Sequence, residues 1–316
     1  MAAWHTDCNL KLNMYGIKLS SCVDGKSRRI IWLEPVLNMR AATMLDFFLA
    51  ACREHGDVRP DCIVTDGGTE NVLIGFSAWL SHNSVPELAR TPSHTATPHR
   101  VTSSVHNVPV ERQWGDVNPR FTRLIILFGG FLEEACGFDV QDPVEVGAFQ
   151  RLIMPLLHVA CDSYMQTRNA TRVKATKGSE GTGGIPDHRA QQFMRPESHT
   201  KPMLVHSVDG WVELYRLATG NDLRRVQDLP RDRRDDGMAI DPLSDFPDDA
   251  AYRDNTMLQT LPAVDRLNCL NAADAGESVM ETHAWFPLVG AFRRDLEMTR
   301  DLHVRRMEQV AGAAEA

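Results

Sequence analysis

The sequence predicts an α/β fold in which helices pack on a mixed β-sheet. Three observations carry this: three β-type segments in succession at the N-terminus, a helical period after them, and then a short apolar run followed by a second helical period. The resulting order, β-β-β-α-β-α, joins antiparallel strands to alternating elements.

The first β segment, residues 3–10, reads AWHTDCNL. In the second, 16–23, Ile17, Leu19, Ser21 and Val23 alternate with Lys18, Ser20 and Cys22, the period of a strand. Asp24-Gly25-Lys26 supplies a hairpin turn into the third, 29–36, whose RRIIWL run is rich in β-branched and aromatic residues. Ala41, Met44, Leu45, Phe48 and Leu49 fall at helical spacing over 41–55, and Gly56 stops that helix. Cys62–Thr65 reads as a fourth strand and Thr69–Leu80 as a second helix.

Residues 81–101 break the pattern. Pro86, Pro92 and Pro98 alternate with His82, His94 and His99 without periodicity, which predicts a mobile loop. The histidine spacings of twelve and five match no zinc motif. Helical segments follow at 107–117, 119–136 and 143–168, with Gly129-Gly130 as a kink point, and TKGSEGTGG at 176–184 is a flexible break. These elements predict a core over residues 1–195. Residues 196–316 are expected to form an acidic, partly disordered extension with one aromatic patch, Trp211–Tyr215, and a final amphipathic stretch at 291–310.

The chain has 316 residues, 34 basic against 42 acidic, a net charge of −8. Through Lys201 the two signs balance at 21 each, and from Pro202 onward there are 13 basic against 21 acidic residues. Neither part is the strongly basic domain of a tight nucleic-acid binder. The sequence predicts no membrane span, because no run approaches about 18 apolar residues. MAAWHTDCNL lacks the basic and apolar segments of a secretory signal. Seven scattered cysteines with no C-x-x-C pair point to a reducing compartment, not to a disulfide framework or a cysteine zinc site.

Three carboxylates stand out by position. Asp7 lies within the first strand, Asp66 ends the fourth in CIVTDGGTEN, and Glu111 opens a helix in SVHNVPVERQW. Each also has an ordinary reading: a buried hydrogen-bonding partner, a turn residue, and a solvated acid favouring a helix N-terminus. Val110, Trp114 and Val117 recur at i, i+4 and i+7 and should face the core, which sets Glu111 at the rim of that face. Asn107 suits an N-cap, and Pro109 is tolerable in a first turn.

Order and flanking sequence give these acids a further meaning. WHTD, VDGKSRRIIWL, VTDGGTEN and SVHNVPVERQW, in that order, resemble consecutive blocks of the integrase core domain. They are most similar to the eukaryotic mobile-element group with W-H-x-D, S-D-x-G-x-E-N and H-N-x-x-x-E-R-x-W. The resemblance spans roughly residues 3–195 and is strongest up to Val117. It implies a ribonuclease H-like fold with a five-stranded mixed sheet, and a DDE set of Asp7, Asp66 and Glu111. Forty-four residues separate Asp66 from Glu111, more than integrases usually keep there, and the Pro/His loop accounts for the excess.

The resemblance further implies two Mg²⁺ or Mn²⁺ ions held by the three acids. Three carboxylates about 5 Å apart repel one another by roughly 3 kcal/mol per pair at an effective dielectric near 20, and hard cations relieve this. The implied reaction is DNA 3′-end hydrolysis followed by strand transfer, in the nucleus, by a homo-oligomer. Gly67 and Gly68 would let a phosphate backbone approach. Asn107 is either a substrate contact or a helix cap, and Arg112 either a phosphate contact or a solvated arginine.

Integrases of this group usually carry a helical DNA-binding module upstream, and no basic C-terminal barrel is legible here in its place. Here the chain opens six residues before Asp7 and the tail is acidic, so weak DNA binding is expected of the core alone. Two further readings stand beside the transferase: a catalytically inactive ribonuclease H-like module that binds nucleic acid or, through its acidic tail, protein, and a hydrolase of RNA–DNA hybrids.

Overall fold

A computed structural model describes residues 3–57, 59–84, 97–103, 106–174, 183–193, 203–221 and 286–314. Five strands form one sheet: β1 (Ala3–Asn9), β2 (Lys18–Asp24), β3 (Ile30–Val36), β4 (Cys62–Thr65) and β5 (His99–Val101), in the spatial order β3-β2-β1-β4-β5. β1–β2 and β2–β3 are antiparallel, whereas β1–β4 and β4–β5 are parallel. This is the mixed sheet expected from sequence.

β2 departs from simple alternation, since all seven of its residues are buried. Its polar side chains are therefore satisfied internally. The Ser20 hydroxyl accepts from Trp32 Nε1 at 3.1 Å, and the Ser21 hydroxyl lies 3.0 Å from the Trp32 carbonyl and 2.8 Å from Gln113 Oε1.

β5 lies within the stretch expected to be a loop. Helix α2 (Val72–Asn83) runs past the predicted end, and His99–Val101 pairs with β4 from Ile63 to Thr65. Three residues carry too little periodicity to announce a strand, and pairing with β4 makes it one. The middle of the predicted loop, including His94, lies outside the described residues.

The chain forms two compact units. The first takes Met1–Asn9, Lys18–Asp116 and Cys161–Asp232, the second Leu10–Ile17, Val117–Ala160 and Arg233–Ala316.

In the first unit, α1 (Ala41–Glu54) buries Met44, Leu45, Phe48 and Leu49, the stripe its sequence predicts. Trp4 packs edge-on against Phe48, with ring centroids 6.1 Å apart. The aromatic patch of the expected extension belongs to this core. It lies on a helix over Val208–Thr219 that is capped by Ser207, whose side chain accepts from Gly210 N. On it Trp211 is fully buried, donates Nε1–H to the Val205 carbonyl at 2.8 Å, and meets Phe76 edge-on. The polar stretch after Asn221, expected to be disordered, lies outside the described residues.

In the second unit, Tyr15 stacks among Phe138 and Phe149, with centroids 6.2 and 4.4 Å away. A Cβ at Gly129 would lie 2.0 Å from the Tyr15 hydroxyl, so Gly129 serves close packing where the sequence suggested a kink. The helical irregularity comes earlier, as a π-turn over Asn118–Thr122 with Pro119 in its first turn. A buried ion pair, Arg151–Asp295 at 2.8 Å, ties the final helix, Phe286–Ala314, into this unit.

The helix over Pro143–Ala170 is long and apolar enough to cross a membrane, yet 67% of its apolar window is buried, as in a core helix. Its last turns belong to the first unit, where Asn169 clamps the start of β3. Asn169 Oδ1 accepts from Ile30 N at 2.8 Å, and its Nδ2 donates to the Ile30 carbonyl at 2.9 Å.

Candidate active site

All three predicted acids fall in the first unit. β1 and β4 run parallel with Ala3 opposite Cys62, Trp4 opposite Ile63 and His5 opposite Val64. Continuing that register by two residues sets Asp7 level with Asp66 on neighbouring strands, and such strands lie about 4.8 Å apart. Glu111 comes from the first turn of α3 (Val108–Val117), whose Val110, Trp114 and Val117 are buried as their spacing requires. Glu111 itself is exposed.

The Asp7 carboxyl responds to its surroundings. Burial pushes its carboxyl up to about 6. Hydrogen bonds from Trp114 and the Cys8 backbone oppose that rise, and the charges of Glu111 and Asp66 add to it. Both of the other acids therefore act on Asp7. They are not drawn into a closed cage: among the described residues no three His, Cys, Asp or Glu side chains are gathered as a ready metal site. Each aspartate is held by donors of its own.

Those donors position the acids. Trp114 Nε1 donates to Asp7 Oδ2 at 2.8 Å, coupling α3 to β1. Asp66 Oδ1 accepts from Asn71 Nδ2 at 2.9 Å and from Gly68 N at 3.2 Å. Just before it, the Thr65 hydroxyl donates to the Asp66 carbonyl at 2.8 Å and lies 2.9 Å from His99 Nε2, which fixes the exit of β4 against β5. His99 also fills the space over Gly75, where a Cβ would lie 2.6 Å from its Nδ1.

Two residues of the DGGTEN block join the site beyond the predicted set. Asn71 orients Asp66, and the charge of Glu70 falls on Cys8 beside Asp7 and Asp66, which makes it a fourth local acid. Their signal was position, four and five residues after Asp66 in one tight turn. Gly68 has a local use: a Cβ there would lie 2.1 Å from Glu70 Oε1, so the bare backbone accommodates that carboxylate.

Asn107 is fully buried and serves as a clamp. Its Nδ2 donates to the Thr6 carbonyl at 2.9 Å, and its Oδ1 accepts from His5 Nδ1 at 2.9 Å. Burial lowers the His5 pKa, in keeping with a neutral ring that donates from Nδ1. The Asn107 carbonyl accepts from Glu111 N at 3.2 Å, so the residue holds the helix start by its backbone. Asn107→Ala should cost about 1–3 kcal/mol, because it strands buried polar atoms of β1. A shift of the denaturant midpoint measures this. Arg112, next to Glu111, is exposed and lines a cavity with other basic residues.

A family model described as integrase core domain matches residues 2–182, more than half of the chain. The chain belongs to the integrase core domain family. Its five-stranded mixed sheet with flanking helices is accordingly a ribonuclease H-like integrase core. No curated protein and no solved structure matches the chain significantly. Within this integrase core, Asp7, Asp66 and Glu111 stand on strand one, at the end of strand four, and on the helix after strand five.

Proposed function

We propose that this integrase core is a DDE-type polynucleotidyl transferase acting on DNA ends, of the eukaryotic mobile-element type that its WHTD, TDGGTEN and HNVPVER blocks resemble. The observation that supports the reading is the placement of Asp7 and Asp66 on neighbouring parallel strands, with the helix of Glu111 tied to β1 by the Trp114–Asp7 hydrogen bond. The donor set suits Mg²⁺ or Mn²⁺, since three hard carboxylates with a surplus of negative charge call for a hard cation. Asp7, Asp66 and Glu111 would hold two such ions. The chemistry supplied there is activation of an attacking water or 3′-hydroxyl and stabilisation of the leaving oxygen.

The chain's own part is positioning. Trp114 and Cys8 N aim Asp7, while Asn71 and Gly68 N aim Asp66. The Asn107 clamp sets the start of α3 against β1 and so places Glu111. Work on DNA gives the protein a nuclear place of action, and self-association is proposed by likeness to the family.

The test incubates the full chain with Mg²⁺ or Mn²⁺ and a panel of blunt and recessed DNA duplexes, and reads 3′-end cleavage and joined products. Ion-dependent cleavage is the expected result. Cleavage without divalent ions would contradict the two-metal mechanism, and no cleavage of any duplex would favour a binding module lacking chemistry.

A further inference from the structure

A second feature of the first unit lies outside the acidic group. A cavity of about 80 Å³ is lined by Arg28, Arg112, Arg168 and Lys174, with Pro109 and Gln113 from the start of α3. None of Asp7, Asp66 and Glu111 lines it. Its basic rim suits a small oxyanion, because guanidinium and ammonium groups pair with phosphate oxygens through charge-assisted hydrogen bonds.

The charged side chains of the lining are all cationic, set among the apolar Val23, Ile30 and Val173. Arg28 is half-buried, and its pKa is lowered by burial first and then by the charges of Arg112 and Arg189. Asp24 acts on Arg28 from the same hairpin, but its oxygens already accept from Ser27 Oγ at 2.7 Å and Lys26 N at 3.0 Å. Asp116 stands 3.7 Å from Arg168 and also accepts from the Tyr164 hydroxyl. Gln113 is 6% exposed, and its Nε2 is a buried donor without a partner among the described residues. Such a donor costs about 1–3 kcal/mol unless an acceptor reaches it.

The backbone supports the same reading. Arg28 has φ 68°, a left-handed conformation costing a residue with a side chain roughly 1–2 kcal/mol. The hairpin holds it there: Arg28 N donates to the Asp24 carbonyl at 2.8 Å, and Arg189 Nη2 to the Lys26 carbonyl at 2.6 Å. A strained position that keeps a guanidinium at a cavity wall points to a bound anion.

We propose that this cavity seats one phosphate group, and that in a complex with DNA the group is a backbone phosphate of the strand. The DNA half of this inference rests on the function proposed above, and the phosphate half does not. The test uses the full chain in EDTA, so that no cleavage chemistry is required. Binding of inorganic phosphate is followed by calorimetry, and binding of a labelled duplex is followed across a salt series.

Arg28→Gly removes the cation while suiting the left-handed backbone, and Lys174→Ala provides a second variant away from the hairpin. Each is expected to weaken phosphate binding by about tenfold or more, and to lower the salt slope for DNA by about 0.9, the value for one phosphate contact. Unchanged phosphate binding in both variants, or no phosphate binding by the wild type, overturns the site. Loss of phosphate binding with an unchanged DNA slope overturns the DNA assignment and leaves a site for free phosphate. A chain that cuts no DNA but binds phosphate and DNA through Arg28 and Lys174 upholds this inference while the catalytic reading falls.

Discussion

Asp66→Asn is expected to reduce divalent-ion-dependent DNA cleavage by about 10²–10³-fold or more, the scale of losing one group that stabilises charge in the transition state. The substitution is conservative in shape. An amide oxygen can still accept from Asn71 Nδ2 and Gly68 N, so the turn after β4 should survive. What is lost is one negative charge beside Asp7 and one anionic oxygen donor. Cleavage should therefore collapse while the far-ultraviolet circular dichroism and the unfolding midpoint stay close to wild type. A variant that cuts DNA normally would remove Asp66 from the proposed chemistry. One that unfolds would give it a structural role.

The second large effect is on stability against pH. The Asp7 carboxyl is held at about 6 in the folded chain, above its ordinary value of 3.8. Between those two values the folded state keeps a proton that the unfolded chain has released, so stability falls as pH rises through that window. Above it, the folded state carries a half-buried charge that Glu111 and Asp66 also disfavour.

Two outcomes follow. Asp7→Asn should be more stable than wild type at pH 7.5 and lose that advantage near pH 4. Millimolar Mg²⁺ or Mn²⁺ should raise the wild-type melting temperature at pH 7.5, by about 2–4 °C for each kcal/mol regained, and have little effect near pH 5, where protons compete. Thermal scans at both pH values check each outcome. An equal ion effect at the two pH values, or in Asp7→Asn, would mean that the ion binds elsewhere.

Much of the fold was legible because its strands and helices carry strong local periods. The stripe of α1 and the buried Val110, Trp114 and Val117 of α3 followed directly from spacing. β5 was not legible, since three residues become a strand only through the neighbour they pair with. Trp211 could be seen as an aromatic patch, but its burial depends on Phe76, more than a hundred residues earlier.

The candidate site divides in the same way. The acids could be located in sequence because each sits in a compact block. The partners that aim them mostly could not, because Trp114 to Asp7 and Asn107 to Thr6 each span about a hundred residues of chain. The basic cavity was least legible, since Arg28, Arg112, Arg168 and Lys174 are brought to one wall by three separate segments.

The central claim is that the carboxylates of residues 7, 66 and 111 share one electrostatic field. The most direct measurement is a ¹³C-carboxyl NMR titration of Asp7 in the wild type, in Asp66→Asn and in Glu111→Gln, all without divalent ions. The account predicts a wild-type midpoint near 6 that moves down when either neighbouring acid is neutralised. A midpoint in the ordinary carboxylate range, or one that neither substitution shifts, would contradict it.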